Sequence, residues 1–201
     1  MAGQPIDFYF DLASPYGYLA HFGIDGMAAK HGRSVVWRPY LIGAVFKVEG
    51  SQPLTGFKLK GPYAVRDMAR SARLLGVPLQ FPPGFPYGTV PAARAYYWLF
   101  DSKPDVAKAF AKAFYRAYFG EGRDVSPAEA TADVAASVGV DRAALLDALQ
   151  QPAVKDRLRI ETDAAMARGV FGSPYFIVDG EPFWGADRLE QVDLWLQRGG
   201  W

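Results

Sequence analysis

The chain has 201 residues, half of them hydrophobic and 21% charged, with a formal net charge of +1 and no cysteine. This balance describes one globular domain or two intimately packed pieces, and it leaves no basic field for nucleic acid or an anionic membrane. Without cysteine, disulfides, thiolate metal sites and redox chemistry by the protein's own thiols are excluded, so any thiol must come with a ligand.

In chain order, Met1 to Gln4 lack the basic region and apolar run of a signal peptide, and no segment approaches the ~20 apolar residues of a spanning helix, so a cytoplasmic protein is expected. Ile6 to Leu12 reads as a strand apolar enough on both faces to sit inside a sheet. It runs into Ser14-Pro15 and then an amphipathic helix, with Tyr16, Leu19, Ala20, Ile24 and Met27 at helical spacing and His31-Gly32 at its end. Ser14 sits at the turn. Its hydroxyl lies beside the unpaired N–H groups and positive dipole end of that helix, where a bound anion such as a thiolate is favoured. Ser followed by Pro is equally the pattern of an ordinary N-cap and first helical residue. Ser34 to Tyr40 is β-prone again and closes a βαβ unit. Leu41 to Leu59, with Gly43, Gly50, Pro53 and Gly56 among lysines, reads as irregular, either a binding loop or a solvated connection.

From Pro62 the chain is helical by periodicity for roughly a hundred residues. Val65, Met68, Ala69, Ala72 and Leu75 form one stripe, closed by Gly76, and an aromatic, Pro-rich loop follows from Phe81 to Tyr87. Thr89 is placed to cap the next helix, with Ala92, Ala95, Tyr96 and Leu99 on one face. Another helix starts near Pro104 and carries Phe110 and Phe114; Ser126 to Glu129 fits a capping box, and Asp141 and Pro152 open two more. These aromatic and leucine stripes read as packing.

The tail restores strand chemistry. Tyr175 to Asp179 is β-prone, Gly180-Glu181 makes a hairpin turn, Phe183-Trp184 pairs back, and Asp187 caps a closing helix. Gly172-Ser173-Pro174 precedes the returning strand; a cis bond there leaves the preceding backbone free to pair with an extended ligand, although most X-Pro bonds are trans. The order βαβ, helical block, ββα gives an α/β fold of thioredoxin type interrupted by a helical insertion. His21 and His31, with no cysteine, offer no metal constellation and read as helix surface or capping residues.

Phe10 to Ala20, Gly169 to Pro174 and Phe183 to Arg188 together resemble the 2-hydroxychromene-2-carboxylate isomerase family, sister to the kappa-class glutathione transferases. The resemblance covers essentially the whole chain. It implies a thioredoxin-like domain, residues 1–60 and 152–201, with an inserted all-α domain, 61–151. It further implies that serine replaces the first redox cysteine, that glutathione is the cofactor, and that the protein is a homodimer acting on a small aromatic substrate.

Carried over by position, the resemblance makes Ser14 the residue that hydrogen-bonds the glutathione sulfur, activating the thiolate without attacking. Ser173, ahead of Pro174, pairs its backbone with the cysteinyl part. Gly185, Ala186 and Asp187 hold the γ-glutamyl end, and Lys60 meets a glutathione carboxylate. Lys47, Tyr16 and Tyr87 are the substrate-side residues. In the implied isomerase chemistry the thiolate adds to the conjugated substrate, a bond rotates after ring opening, and elimination regenerates glutathione. The chain departs from the family in having no asparagine after Lys47, Ala186 where the transferases have serine, and no arginine pattern near Tyr87. A kappa-like transferase and a non-catalytic glutathione or peptide binder are the alternatives.

Overall fold

The computed structural model describes residues 3–201; Met1 and Ala2, half of the segment read for a targeting signal, lie outside the described residues. Strands β1 (Ile6–Phe10), β2 (Val35–Pro39), β3 (Tyr175–Val178) and β4 (Glu181–Trp184) form one mixed sheet in the order β2-β1-β3-β4. β2 lies parallel to β1, with Ile6 opposite Val35 and Phe10 opposite Pro39, while β3 is antiparallel to both β1 and β4.

Parallel neighbours need a crossover. Here it is two short helices, α1 (Pro15–His21) and α2 (Ile24–Lys30), where the periodicity predicts one. The chain turns at Phe22-Gly23, with the Gly23 N–H bonded to the Ala20 carbonyl. The apolar stripe survives the turn because Leu19, Ala20, Ile24 and Met27 all reach the same core.

Alternation along β1 buries the sheet on both faces. Ile6, Phe8 and Phe10 enter the larger core, where Phe8 stacks on Phe176 at 5.4 Å and meets Trp37 edge-on at 5.2 Å. Each such phenyl contributes about 1.5–3 kcal/mol by burial. Tyr9 faces a smaller core with Tyr40, Val45, Ala165, Val170, Tyr175 and Ile177.

The stretch expected to be irregular contains a helix, α3 (Ile42–Glu49), and a 3-10 turn at Leu54–Gly56. No local cap announces α3, because its first N–H is satisfied from another element: Ile42 N donates to Asp11 Oδ2 at 2.8 Å. The helical block is α4 (Lys60–Leu75), α5 (Val90–Phe100), α6 (Pro104–Tyr115) with a π-helical turn at Arg116–Gly120, α7 (Ala128–Ala136), α8 (Arg142–Gln150) and α9 (Pro152–Ala167); α10 (Leu189–Arg198) closes the chain after a 3-10 turn at Ala186–Arg188. The Tyr96 and Tyr97 hydroxyls of α5 donate to the carbonyls of Trp37 and Pro39 at 2.8 and 2.7 Å, which ties α5 to the β2 edge and occupies acceptors that another strand could use.

Local readings give way where tertiary contacts compete. α4 buries Gly61, Ala64, Met68 and Ala72 while Val65 and Leu75 are exposed, since small residues let it lie close to the chain before it. A Cβ on Gly61 would sit 2.6 Å from the Thr55 carbonyl oxygen. Ser126 forms no capping box: its hydroxyl donates to Asp124 at 2.6 Å and Pro127 takes the cap position. The hairpin turns on Asp179-Gly180, both at positive φ, one residue earlier than read. Asp187 belongs to the 3-10 turn and makes no capping bond to α10, whereas Asp141 does cap α8, accepting from Ala144 N at 2.7 Å. His21 is buried among Tyr18, Phe22, Trp37 and Tyr115, not on a helix surface. Among the described residues no helix is long and apolar enough to cross a membrane.

Candidate active site around Ser14

The carboxyl end of β1 runs into α1 through Asp11-Leu12-Ala13-Ser14. Ser14 is the N-cap of α1: its backbone is extended and its half-buried Oγ accepts the Gly17 N–H at 3.1 Å. Pro15 follows as the first helical residue and brings no N–H to be satisfied. The same Oγ donates to the Ser173 carbonyl at 3.0 Å. The Ser173–Pro174 peptide bond is cis, the isomer the sequence left open.

Further hydrogen bonds extend this contact. Ser173 Oγ accepts the Asp11 N–H at 2.9 Å, and the Pro174 carbonyl accepts the Gly185 N–H at 3.1 Å. Ser14, Ser173, Pro174 and Gly185 therefore form one connected rim, with Ala186 next along the chain. Gly185 has φ 119°, a conformation closed to other residues without strain, and a Cβ there would collide with the Asp187 carboxylate. Asp187 itself is exposed, 3.4 Å from Arg188 Nη1. Trp184 lies against Gly172, leaving no room for a side chain there.

Beneath the rim is a residue the sequence reading missed. Asp11 is buried, 4% exposed, and its carboxylate accepts from Ala13 N at 2.7 Å, Ile42 N at 2.8 Å and Thr89 Oγ1 at 3.1 Å. Its carbonyl accepts the Tyr115 hydroxyl at 2.9 Å. Burial raises its pKa, and the three donors offset that only in part. Thr89, read as a helix cap, makes no capping bond because its hydroxyl is spent on Asp11. The available signal was an ionisable residue inside the otherwise apolar run Phe8 to Leu12.

Gly17 was also missed. A Cβ there would lie 2.6 Å from the Tyr115 hydroxyl, 3.2 Å from Ser173 Oγ and 3.3 Å from Ser14 Cβ, so the first turn of α1 meets its neighbours at contact distance.

The residues expected on the substrate side, and Lys60, make contacts of their own. Tyr16, half-buried, donates from its hydroxyl to Asp67 Oδ2 at 2.7 Å, tying α1 to α4; burial, then that hydrogen bond, push its pKa well up. Tyr87 gives its hydroxyl to the Pro83 carbonyl and its N–H to the Tyr118 hydroxyl. Lys47 is exposed on α3, not on a loop as read, and Lys60 is exposed at the start of α4 with its ammonium 5.4 Å from the centre of the Phe57 ring. No hydrogen bond or ion pair among the described residues joins Lys47, Lys60 or Tyr87 to Ser14.

Comparison with known proteins agrees with this fold. A family described as DSBA-like thioredoxin domain matches residues 5–197. The chain is 33% identical over 195 residues to a 2-hydroxychromene-2-carboxylate isomerase of Sphingobium xenophagum, covering 96% of this chain and 98% of that protein. It is 25% identical to glutathione S-transferase kappa 1 of Rattus norvegicus, covering 94% of this chain and 89% of that one. A solved structure of a 2-hydroxychromene-2-carboxylate isomerase superposes with a TM-score of 0.87 at 30% identity, covering 96% and 94% of the two chains. A thioredoxin-type sheet with helices between its second and third strands, a serine at the start of the first helix and these full-length likenesses lead to one assignment: the chain belongs to the DSBA-like thioredoxin-domain family, among the 2-hydroxychromene-2-carboxylate isomerases.

Proposed function

We propose that the protein is a glutathione-dependent isomerase acting on 2-hydroxychromene-2-carboxylate or a related unsaturated aromatic acid. The observation that carries this reading is Ser14: a half-buried hydroxyl at a helix start, 3.0 Å from the Ser173 carbonyl beside the cis Pro174, in a chain with no cysteine. The rim offers a tripeptide thiol a hydroxyl at Ser14 and a backbone carbonyl at Ser173, 3.0 Å apart, to pair with. Bound there, glutathione supplies a thiolate that adds reversibly to a conjugated substrate.

The residues divide the work. Ser14 Oγ–H and the positive end of α1 favour the thiolate over the thiol. Ser173, ahead of Pro174, offers backbone pairing to the cysteinyl part. The turn Gly185, Ala186 and Asp187 receives the γ-glutamyl end, and Lys60 a carboxylate. Lys47, Tyr16 and Tyr87 face the substrate. In this reading residues 61–151 are a helical insertion that walls the site, and the reducing cytoplasm supplies glutathione. The exposed Leu59, Tyr63 and Leu74 suit a homodimer.

Product analysis tests the reading. The expected result is conversion of 2-hydroxychromene-2-carboxylate to its open-chain isomer with glutathione required and not consumed. A stable thioether with glutathione consumed assigns a kappa-like transferase; binding of glutathione with no turnover of either kind assigns a binder.

A further inference from the structure

Two serines hold each other's chains across the rim. Ser14 Oγ donates to the Ser173 carbonyl at 3.0 Å, and Ser173 Oγ accepts the N–H of Asp11 at 2.9 Å. The Gly17 N–H meets Ser14 Oγ at 3.1 Å. A serine hydroxyl carries one proton, and here that proton is already committed to a carbonyl. So long as it stays there, it cannot be given to a sulfur.

The carbonyl that holds it belongs to the residue preceding the cis Pro174, at the start of β3. In the proposed function that segment pairs with the backbone of the bound tripeptide. We propose that the Ser173 carbonyl is the resting acceptor of the Ser14 proton, and that an amide N–H of the bound thiol ligand takes its place there and turns the Ser14 hydroxyl toward the ligand's sulfur. This rests on the glutathione reading above and adds to it a positioning residue and an order of events.

The step makes and breaks no covalent bond of the protein. Ser14 keeps its proton and reorients it, and the proton of the ligand's thiol leaves to solvent. A carbonyl has two lone pairs, so the exchange is a competition and not an exclusion. It is biased by charge, because a hydrogen bond to an anionic acceptor is roughly twice as strong as a neutral one. The reciprocal bond from Asp11 N–H to Ser173 Oγ keeps residues 11–14 and 172–174 at a fixed spacing while the hydroxyl turns. The ligand's backbone contact and the ionisation of its sulfur are thereby coupled through one proton.

The coupling makes a prediction that a plain hydrogen bond to sulfur does not. A ligand with the N–H but no sulfur, γ-glutamyl-alanyl-glycine, displaces the Ser14 proton and offers it no new acceptor. It should therefore bind Ser14→Ala more tightly than the wild type, by roughly two- to tenfold, the worth of one hydrogen bond. Glutathione should change in the opposite direction, binding Ser14→Ala more weakly, with loss of its ultraviolet thiolate absorbance at neutral pH. Both affinities are read by calorimetry on the full chain. Ser14→Gly, a residue that a helix start tolerates better than alanine, should reproduce the reversal and guards against misfolding of the alanine variant. Unchanged or weakened binding of the sulfur-free tripeptide to both variants, with glutathione still bound by the wild type, overturns the exchange and leaves the glutathione reading standing. No glutathione binding by the wild type overturns both.

Discussion

Thr89 Oγ1 donates to Asp11 Oδ1 at 3.1 Å, joining the start of α5 to a carboxylate buried at the end of β1. With Ala13 N and Ile42 N on the same carboxylate, Asp11 fixes the starts of α1, α3 and α5 relative to one another. Asp11→Ala leaves those three donors without their acceptor. The expected loss is about 3–5 kcal/mol, since each stranded buried donor costs about 1–3 kcal/mol and partial repacking recovers some of it. Thr89→Val removes one donor from an acceptor that keeps two others, so the expected loss is about 1–2 kcal/mol. Urea unfolding at constant pH measures both, and equal losses would show that Asp11 is not the common anchor.

How much of this was legible depends on sequence distance. The Ser14 cap was readable because its partner, Gly17 N, lies within one helical turn. The thioredoxin-type order of strands was readable from the alternation of strand and helix chemistry. Asp11 was not, because two of its donors lie far along the chain at Ile42 and Thr89 and no spacing rule connects them. The same contacts hid α3, whose first N–H is satisfied by Asp11, and misdirected Thr89, whose hydroxyl prefers a buried carboxylate to a local cap. Periodicity found the helices but not the break at Gly23, because an apolar stripe carries across a turn when both pieces face one core.

Ser14→Ala separates a cap from an active-site hydroxyl. As a cap, its loss costs about 1 kcal/mol of stability. As the donor to a developing anion, its loss costs about 100- to 1000-fold in turnover. The expected result is that small loss of stability with the large loss of isomerisation, read by denaturant unfolding and by steady-state kinetics. A variant that loses stability but keeps most of its turnover would reduce Ser14 to the cap alone.

His21 gives the fold a pH dependence. It is 8% exposed, and burial among aromatic rings lowers its pKa to about 4 from 6.5. The unfolded chain therefore binds a proton at this residue at a higher pH than the folded one. Stability from this group is complete above pH 6.5, is lost as pH falls toward 4, and changes no further below that. The total is about 3 kcal/mol. Lys112 adds to the lowering, whereas the Tyr18 carbonyl and Asp25 oppose it. His21→Leu should flatten this part of the profile whatever it does to stability at pH 8, and an unchanged slope between pH 6.5 and 4 would assign the acid sensitivity to other groups.

Gly17 and Gly26 form a matched pair, each inside a short helix, α1 and α2. Intrinsic propensity favours alanine over glycine in a helix by about 0.8–1 kcal/mol. At Gly26 nothing lies within 4 Å of the added Cβ, so Gly26→Ala should stabilise by about that amount. At Gly17 the Cβ would sit 2.6 Å from the Tyr115 hydroxyl, which is held by the Asp11 carbonyl, and 3.2 Å from Ser173 Oγ. Neither neighbour can retreat without breaking a hydrogen bond to the Asp11 backbone, buried at Tyr115 and partly buried at Ser173. Overpacking of this kind costs about 1–3 kcal/mol, which exceeds the propensity gain, so Gly17→Ala should destabilise. It should also weaken glutathione binding, because relief of the clash moves Tyr115 or Ser173 away from the Asp11–Ser14 segment. Thermal unfolding and calorimetry with glutathione read the two effects. A stabilising Gly17→Ala with unchanged affinity would show that α1 can shift away from Tyr115 and Ser173 without disturbing Ser14.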